Sequence, residues 1–285
     1  MAGDLHCHSK MSDGSLGLEE LILLARRRGL ETISVTDHDT FAGVTRAKIL
    51  GDRFGINVIP GIEFSTYDYK RENKVHILCY LCDKPDRLEG ICRRTNESRK
   101  KAAQDMIRKV MRYYPISPEM VLRCANGGMN IYKQHIMHAL MDAGYSLSIF
   151  GNIFDTLFAW KTGLARIDTE YPDVLEVLRT VNDAGGIAVL AHPPEYNSFD
   201  AIGELIENGL SGLEVWHPRN SEEDTDRLMK IARENKLVMT GGSDFHGMYG
   251  SEVTPLGSTT MPNESVAALI AYKNKLNKVR LNKTS

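Results

Sequence analysis

The spacing of apolar residues alternates between helical and strand-like patterns along the first part of the chain. Residues 18–28 have helical spacing and end at Gly29, and residues 31–36 then form an apolar run that is typical of a buried strand. Thr40 offers an N-cap for a second helix that would reach about Phe54. This order predicts repeated strand and helix units.

Two further strands are predicted at residues 57–64 and 74–81, after which the pattern becomes helical. Residues 86–112 form a long charged helical pattern, and residues 133–143 form another. We identify no strand pattern between them. We therefore predict a small α-helical subdomain, inserted over residues 84–167.

The alternation of helices and strands resumes near Tyr171. The predicted elements are helices at 173–184, 200–208, 221–234 and 265–276 and strands at 187–191, 212–216 and 237–240. Repeated units of this kind form a parallel barrel or an open parallel sheet, and only a closed barrel gathers side chains from the end of every strand. We therefore predict an α/β barrel formed by residues 1–83 and 168–285.

The composition limits the class of protein. A chain of 285 residues with 42% hydrophobic and 25% charged residues can bury a full core. No run approaches the roughly 18 apolar residues of a membrane span, and His6 comes too early for a signal peptide to precede it. The five cysteines are irregularly spaced, which favours reduced thiols. We expect a cytoplasmic protein with no membrane association and no obligate protein partner.

Charge is unevenly distributed along the chain. Residues 84–167 contain 14 Lys and Arg against 7 Asp and Glu, although the whole chain has a net charge of −2. A basic segment near a metal site would attract a phosphorylated substrate, but a solvated helix face would have the same composition. The acidic balance of the remainder and the lack of an aromatic-rich basic stripe argue against binding of long nucleic acids.

Seven of the nine histidines lie in short clusters at the ends of predicted strands, most of them beside acidic residues. The clusters are Asp4-Leu5-His6-Cys7-His8, Thr36-Asp37-His38-Asp39, Gly61-Ile62-Glu63-Phe64, Val75-His76-Ile77, Ala191-His192-Pro193, Trp216-His217-Pro218 and Ser243-Asp244-Phe245-His246. A single histidine on an apolar face is usually an ordinary core or surface residue. Seven imidazoles beside carboxylates would each need a buried partner, and divalent metal ions satisfy them together. The sequence therefore predicts a site for several metal ions.

These motifs resemble those of the PHP (polymerase and histidinol phosphatase) family of phosphoesterases. The resemblance lies in the Asp-x-His-x-His start, the Thr-Asp-His-Asp block, Gly-x-Glu, the lone strand histidine, Ala-His-Pro and Gly-Ser-Asp-Phe-His, in this order over residues 1–83 and 168–250. It implies a distorted (β/α)7 parallel barrel that binds three divalent ions, commonly manganese, iron, zinc or magnesium. By motif, the implied ligands are His6, His8, Glu63 and Asp244 for the first ion, Glu63, His76 and His192 for the second, and Asp13, His38 and His246 for the third.

The reaction that the resemblance implies is hydrolysis of a phosphate ester by a metal-activated hydroxide. Closely spaced ions lower the pKa of bound water and stabilise both oxygens of an in-line displacement. Glu63, as the residue that would bridge two ions, is the first candidate catalytic residue. Asp37 and His217 are further candidates, either for proton transfer or for orienting the ligating histidines, and the role of Asp39 is open in the same way.

The helical insertion makes the resemblance strongest to one branch of the family. Members of that branch remove the 3′-phosphate of 3′,5′-nucleoside bisphosphates or trim nucleotides from the 5′ end of short oligonucleotides, and their insertion carries basic motifs. Arg99, Lys133 and His135 are the implied phosphate-binding residues, and each could equally be an ordinary surface residue. The second motif reads Tyr132-Lys133-Gln134-His135, so lysine replaces an arginine and a proline is lost. Lysine lacks the bidentate fork of arginine, and we therefore expect a changed affinity or substrate preference.

Three other functions are compatible with the sequence. A histidinol phosphatase would use the same metal ligands, although a cationic amino alcohol does not call for a basic insertion. A metal-stabilised scaffold without activity would be expected to have lost ligands, and all nine are present. A zinc amidohydrolase that acts on C–N bonds shares the barrel and the ligand types.

Overall fold

The strands form two sheets in a computed structural model that describes residues 2–252 and 254–284. The first sheet contains β1 (Ala2–Cys7), β2 (Leu30–Val35) and β3 (Asn57–Val58) in this order, and the three strands are parallel. Helices α1 (Leu18–Arg27) and α2 (Val44–Phe54) connect them. The predicted strand and helix units of the N-terminal part are therefore confirmed.

The second sheet has the order β4 (Gly61–Asp68), β5 (Asn73–Tyr80), β6 (Ile187–Leu190), β7 (Gly212–Trp216) and β8 (Val238–Gly241). β6, β7 and β8 are parallel, whereas β5 is antiparallel to both of its neighbours. The prediction of a fully parallel barrel is therefore wrong at β5. Only residues 69–72 join β4 to β5, and such a short connection forms a hairpin but not a parallel crossover.

Isolated β-bridges connect the two sheets in two places, one between β1 and the segment after β8 and one between the segment after β2 and β4. Cys7 of β1 pairs with Phe245, beyond β8, and His38, beyond β2, pairs with Glu63 of β4. The amide of His8 also donates to the carbonyl of Phe245 at 2.9 Å. The α/β class is confirmed, while a continuous (β/α)7 barrel stays a prediction, because the described strands form two sheets that meet through single bridges.

Between β5 and β6 the chain forms helices α3 (Glu89–Val110), α4 (Pro118–Cys124), α5 (Lys133–Asp142) and α6 (Asn152–Phe158). α3 and α5 match the two predicted helical patterns, and the short helices α4 and α6 are additional. Buried side chains of all four helices pack on one another, among them Ile107, Val121, Leu140 and Phe158. That residues 84–167 form a separate subdomain stays a prediction.

The remaining helices are α7 (Val174–Asp183), α8 (Ile202–Glu207), α9 (Glu222–Glu234) and α10 (Asn263–Thr284). The carboxylate of Asp173 caps α7, and Ser221 forms a reciprocal capping box with Asp224 at the start of α9. Each of these helices corresponds to a predicted one. Within the described part of the chain, no helix is long and apolar enough to cross a membrane.

Two predicted boundaries are wrong for local reasons. Pro60 has no amide to donate to a ladder, and it divides the predicted strand 57–64 into β3 and β4. α2 begins at Val44 and not directly after Thr40, whose hydroxyl accepts from the amide of Ala42 at 3.1 Å in the preceding turn. In both cases a local constraint on backbone hydrogen bonding sets where the element begins or ends.

Candidate metal centre

Glu63 lies at the centre of a buried cluster of histidines and carboxylates. It is 1% exposed and points from β4 toward the ends of the neighbouring strands. Its oxygens lie within 3.3 Å of ring nitrogens of five histidines, with His6, His8 and His38 on Oε2 and His76 and His192 on Oε1. The fold therefore gathers, around one carboxylate, rings from both sheets.

Two aspartates extend this cluster. Oδ1 of Asp244 lies 3.3 Å and 3.2 Å from Nε2 of the two histidines at the end of β1. Oδ1 of Asp13 lies 3.3 Å from Nε2 of His246, and its Oδ2 lies 3.9 Å from Nε2 of His38. All nine residues that the motifs imply as ligands are thus part of one connected group.

Several buried polar atoms of this group have no hydrogen-bond partner among the described residues. They are both ring nitrogens of His8, Nδ1 of His192, Nε2 of His217, Oδ1 of Asp13 and Oδ1 of Asp244. Such atoms cost free energy unless something satisfies them. Donor atoms of subsets such as His8, Asp13, His38 and His246 lie within 4.8 Å of one another. The residues present therefore fit divalent metal ions, and their imidazole and carboxylate donors suit manganese, iron or zinc better than calcium.

The charges of the cluster shift the pKa values of its members in opposite directions. Burial by itself would raise the pKa of Glu63, but His38, His6 and His76 hold that pKa well below its usual range. Burial would lower the pKa of His8, but the nearby carboxylates of Asp244 and Glu63, each 3.2 Å from its Nε2, raise the pKa to about 10. In the absence of metal the cluster therefore holds protons that a bound cation must displace.

Three residues at strand ends have a left-handed backbone although none is glycine. The φ angles are 52° for Asp39, 26° for His192 and 50° for Asp244. These residues follow β2, β6 and β8 within four positions. A residue in this conformation costs about 1–3 kcal/mol and persists only where the surroundings fix it, which is common at functional sites. At all three positions the chain leaves the sheet beside the cluster.

Glu214 is a further residue of the site, and the sequence motifs do not indicate it. It lies fully buried in the middle of β7, and its Oε1 is 2.8 Å from Nδ1 of His6. Its Oε2 accepts from the amide of His192 at 2.8 Å. A carboxylate on one ring nitrogen fixes the tautomer and orientation of a histidine and leaves the other nitrogen for a ligand. The signal in the sequence is one acidic residue inside the apolar strand 212–216.

Asp37 does not join the cluster. Its carboxylate accepts from the amide and the hydroxyl of Ser9 at 2.8 Å and 2.7 Å, and from the hydroxyl of Ser12 at 2.7 Å. These contacts fix the loop that ends at Asp13. The position of Asp37 suits support of this loop, and a direct part in proton transfer stays a prediction.

His217 does join the cluster. Its Nε2 lies 3.6 Å from Oδ2 of Asp244, and its Nδ1 accepts from the amide of Arg219 at 3.2 Å. Because Nδ1 is an acceptor in this contact, the neutral ring carries its proton on Nε2. The ring therefore presents an N–H group that has no partner within the described structure.

Arg99 is a buried residue with protein partners of its own. It is 5% exposed and donates to Oδ2 of Asp39 at 2.8 Å and to Oγ of Ser65 at 3.0 Å. Its guanidinium also lies 4.9 Å from the ring centroid of Tyr132. Part of its charge is therefore balanced by Asp39, which explains the place of that carboxylate in the structure.

Lys133 and His135 lie at the start of α5 and have different surroundings. Burial, together with the charges of Arg166 and Lys74, lowers the pKa of Lys133 to about 8. His135 is 2% exposed, its Nδ1 accepts from the amide of Tyr132 at 3.1 Å, and burial lowers its pKa to about 4. His135 caps the helix and lines neither of the two cavities at the site, so its role in substrate binding stays a prediction.

Two adjoining cavities open on the cluster. The first, of about 370 Å³, lies over the metal-binding residues and is also lined by Arg219, Tyr249 and Ser251. The second, of about 210 Å³, contains Arg99 and Lys133. The residues that line both cavities are Asp13, His38, Lys74, His76, Gln134 and Tyr196. A molecule in the first cavity can therefore reach into the second.

Comparison with known proteins gives consistent relatives. A model of the PHP domain matches residues 4–108. The chain is 39% identical over 252 residues to phosphoribosyl 1,2-cyclic phosphate 1,2-diphosphodiesterase of Eggerthella lenta, with 88% of this chain and 96% of that protein covered. It is 30% identical over 250 residues to a 5′-3′ exoribonuclease of Haemophilus influenzae, covering 85% and 89%. It is 27% identical over 257 residues to 3′,5′-nucleoside bisphosphate phosphatase of Chromobacterium violaceum, covering 85% and 86%.

A solved structure from Bifidobacterium adolescentis, provisionally assigned as a metal-dependent phosphoesterase, has a TM-score of 0.85 and 30% identity to the chain. The match covers 94% of this chain and 95% of that one. The α/β fold and the buried imidazole and carboxylate cluster define a metal-dependent hydrolytic enzyme. The chain belongs to the PHP domain family of metal-dependent phosphoesterases, which confirms the resemblance seen in its motifs.

Replacement of Glu214 tests whether this residue supports the metal centre. In Glu214→Gln the carboxylate that holds His6 is lost, and we expect metal affinity to fall by about 10- to 100-fold. Competition with a chromophoric chelator measures that affinity. The control is Glu207→Gln, at an exposed position of α8, which should bind metal like the unmodified protein. Equal affinity in both variants would contradict a role for Glu214.

Proposed function

We propose that this protein hydrolyses a phosphate ester of a small phosphorylated ribose and binds a second phosphate of the same substrate in the basic cavity. The observation that supports this is the shared wall of the two cavities, one over the metal-binding residues and the other containing Arg99 and Lys133. Phosphoribosyl 1,2-cyclic phosphate and 3′,5′-nucleoside bisphosphates, after which two relatives are named, both carry phosphate at two places on a pentose.

The 1,2-cyclic phosphate diester is the first candidate substrate. The relative named for it shares 39% identity with this chain, against 27% for the bisphosphate phosphatase. The insertion also has Lys133 and Gln134 where the nucleotide branch is expected to have arginine and proline. A basic cavity that binds a phosphate through Lys133 accepts a substrate smaller than a nucleotide, because the contact does not require a nucleobase.

Hydrolysis of the 3′-phosphate of 3′,5′-nucleoside bisphosphates, or of the 5′ ends of short oligonucleotides, is the second candidate. The rings of Tyr132, Tyr171 and Tyr196 line the basic cavity and favour this alternative. Aromatic rings bind bases by stacking without selecting among them. The two candidates share the metal centre and differ in what occupies the second cavity.

We assign three divalent ions, of manganese, iron, zinc or magnesium, to the cluster. His6, His8, Glu63 and Asp244 would hold the first, Glu63, His76 and His192 the second, and Asp13, His38 and His246 the third. Bound ions at these positions supply Lewis acidity, which polarises the phosphoryl group and lowers the pKa of water. Glu63 would keep two of them at a fixed separation.

His217 is a hydrogen-bond donor to the leaving oxygen in this proposal. The residue lines the first cavity, its Nδ1 accepts from the amide of Arg219, and its Nε2 has no partner in the described structure. An N–H group at that place can donate a hydrogen bond to the oxygen that leaves phosphorus and stabilise the negative charge that develops on it.

The proposed function is tested with three substrates in parallel, each with added manganese and with chelator as the control. They are phosphoribosyl 1,2-cyclic phosphate, adenosine 3′,5′-bisphosphate and histidinol phosphate, and phosphorus NMR follows the loss of each ester. We expect chelator-sensitive hydrolysis, fastest for the cyclic phosphate. Faster hydrolysis of the bisphosphate would favour the second candidate, and preference for histidinol phosphate would contradict both.

His217→Asn tests this hydrogen-bond donor. The variant keeps a polar side chain but loses the ring N–H group, so kcat should fall by about 10²- to 10³-fold. The loss should be much smaller for an aryl phosphodiester, whose leaving group stabilises its own negative charge. Metal content and KM should stay as they are. A uniform loss of kcat for both kinds of leaving group would indicate that His217 supports the site only structurally.

The pH dependence of binding tests Lys133. Because its pKa is lowered to about 8, the lysine loses its charge above pH 8, and kcat/KM for a substrate with two phosphates should decline there. Lys133→Arg stays charged at that pH and should not show this decline. The ratio of the two profiles isolates Lys133 from other groups that titrate. Parallel profiles would exclude contact between Lys133 and the substrate.

A further inference from the structure

A second group of cysteine, histidine and aspartate side chains, residue types that ligate metal ions, lies on the helical insertion, outside the nine residues of the metal centre. Cys124 is the last residue of α4, and His138 and Asp142 lie one turn apart on α5. Sγ of Cys124 is 3.8 Å from Oδ2 of Asp142, and Nε2 of His138 is 3.6 Å from Oδ1 of Asp142. A donor atom from each of the three residues lies within 4.8 Å of the others.

These separations are close to those of a tetrahedral zinc site. Zinc bonds of about 2.3 Å to sulfur and about 2.0 Å to nitrogen and oxygen place neighbouring ligand atoms roughly 3.3–3.5 Å apart. The two distances to the Asp142 carboxylate exceed this range by a few tenths of an ångström, and the Cys124 sulfur lies within 4.8 Å of a ring nitrogen of His138. The Asp142 side chain is 63% exposed and can rotate to close the difference. The exposure of Asp142 also leaves room for a water molecule as the fourth ligand of the zinc ion.

The hydrogen bonds of His138 prepare its ring for a metal ion. The hydroxyl of Tyr249 donates to the carbonyl of Cys124 at 3.3 Å, and the same oxygen lies 2.8 Å from Nδ1 of His138. Since the hydroxyl proton is used in the first contact, Nδ1–H of His138 is the donor in the second. Nε2 of His138 then carries a lone pair, 3.6 Å from Oδ1 of Asp142, which is the arrangement of a ligating histidine.

The thiol of Cys124 is protonated when no cation is near. Burial and then the negative charge of Asp142 raise its pKa to about 11. A divalent ion between these two groups would reverse the effect of Asp142 and displace the proton of the thiol. Without an ion, the three side chains make only a weak hydrogen bond between Cys124 and Asp142 and a partly exposed contact between His138 and Asp142.

We propose that Cys124, His138 and Asp142 bind one zinc ion, which ties the helical insertion to the rim of the metal centre through Tyr249. Tyr249 lies three residues after His246 and lines the first cavity. The zinc ion would join Cys124 to His138. The hydroxyl of Tyr249 contacts both the ring of His138 and the backbone carbonyl of Cys124, so the contacts form a ring. The site therefore fixes the segment 247–251, which forms one wall of that cavity.

Cobalt(II) tests this site separately from the metal centre. The nine residues of the centre offer only nitrogen and oxygen, so a thiolate-to-cobalt charge-transfer band arises only where a cysteine binds. We expect metal-free full-length protein to develop this band once the added cobalt exceeds the three equivalents assigned to the metal centre, with one cobalt–thiolate site per chain. Cys124→Ser should abolish it. The matched control is Cys82→Ser, at another partly buried cysteine, and it should keep the band.

Asp142→Asn provides a second variant at an exposed position, with far-ultraviolet circular dichroism to check that each variant is folded. Loss of this ligand should weaken cobalt binding at the site by at least about tenfold. A wild-type protein without the band, or a band that remains in Cys124→Ser, would overturn the proposal. So would unchanged affinity in Asp142→Asn. None of these outcomes depends on which phosphate ester the enzyme hydrolyses.

Discussion

The structure depends on the contact between the buried carboxylate of Glu63 and the five imidazoles around it. A carboxylate without partners in this position would cost several kcal/mol of desolvation. The same residue joins the two sheets, since its amide donates to Thr36 at 3.1 Å and its carbonyl accepts from Asp39 at 2.9 Å. The backbone of Glu63 thus holds the strands together at the point where its side chain gathers the metal-binding groups. Glu63 therefore contributes both to the candidate metal centre and to the junction of the two sheets, and a substitution at this position affects both.

The positive charge of the insertion serves more than one purpose. Arg99 forms a buried salt bridge with Asp39, and this pair fixes the turn after β2. Only the rest of its guanidinium reaches the basic cavity. Among the described residues no carboxylate forms a salt bridge with Lys133, so under the proposed function its charge is the one left for a phosphate. A count of charges over 84–167 therefore overstates how many of them are available to a ligand.

Much of this fold follows from local patterns in the sequence. The predicted bounds of β7 and α9 are confirmed to within about a residue, because burial and helical spacing are properties of neighbouring positions. The direction of β5 follows from the short connection 69–72, and the predicted strands 57–64 and 74–81 left a longer gap that hid the hairpin. The histidines of the motifs come together in one cluster, whereas Glu214 is missed, because its partner His6 is more than 200 positions away in the chain.

β4 and the antiparallel β5 form a hairpin on one side of the site, and its turn at residues 69–72 contains none of the nine implied metal ligands. The hairpin of β4 and β5 continues past Glu63 and His76 to residues 69–72, where the Tyr69 hydroxyl donates to the carbonyl of Tyr171 at 2.9 Å. Lys74, beside this turn, lines both cavities. Lengthening a surface turn costs only about 0.6 kcal/mol for each doubling. Evolution can therefore deepen or narrow the entrance through the length of one hairpin, and change which esters enter, while the catalytic groups stay where they are.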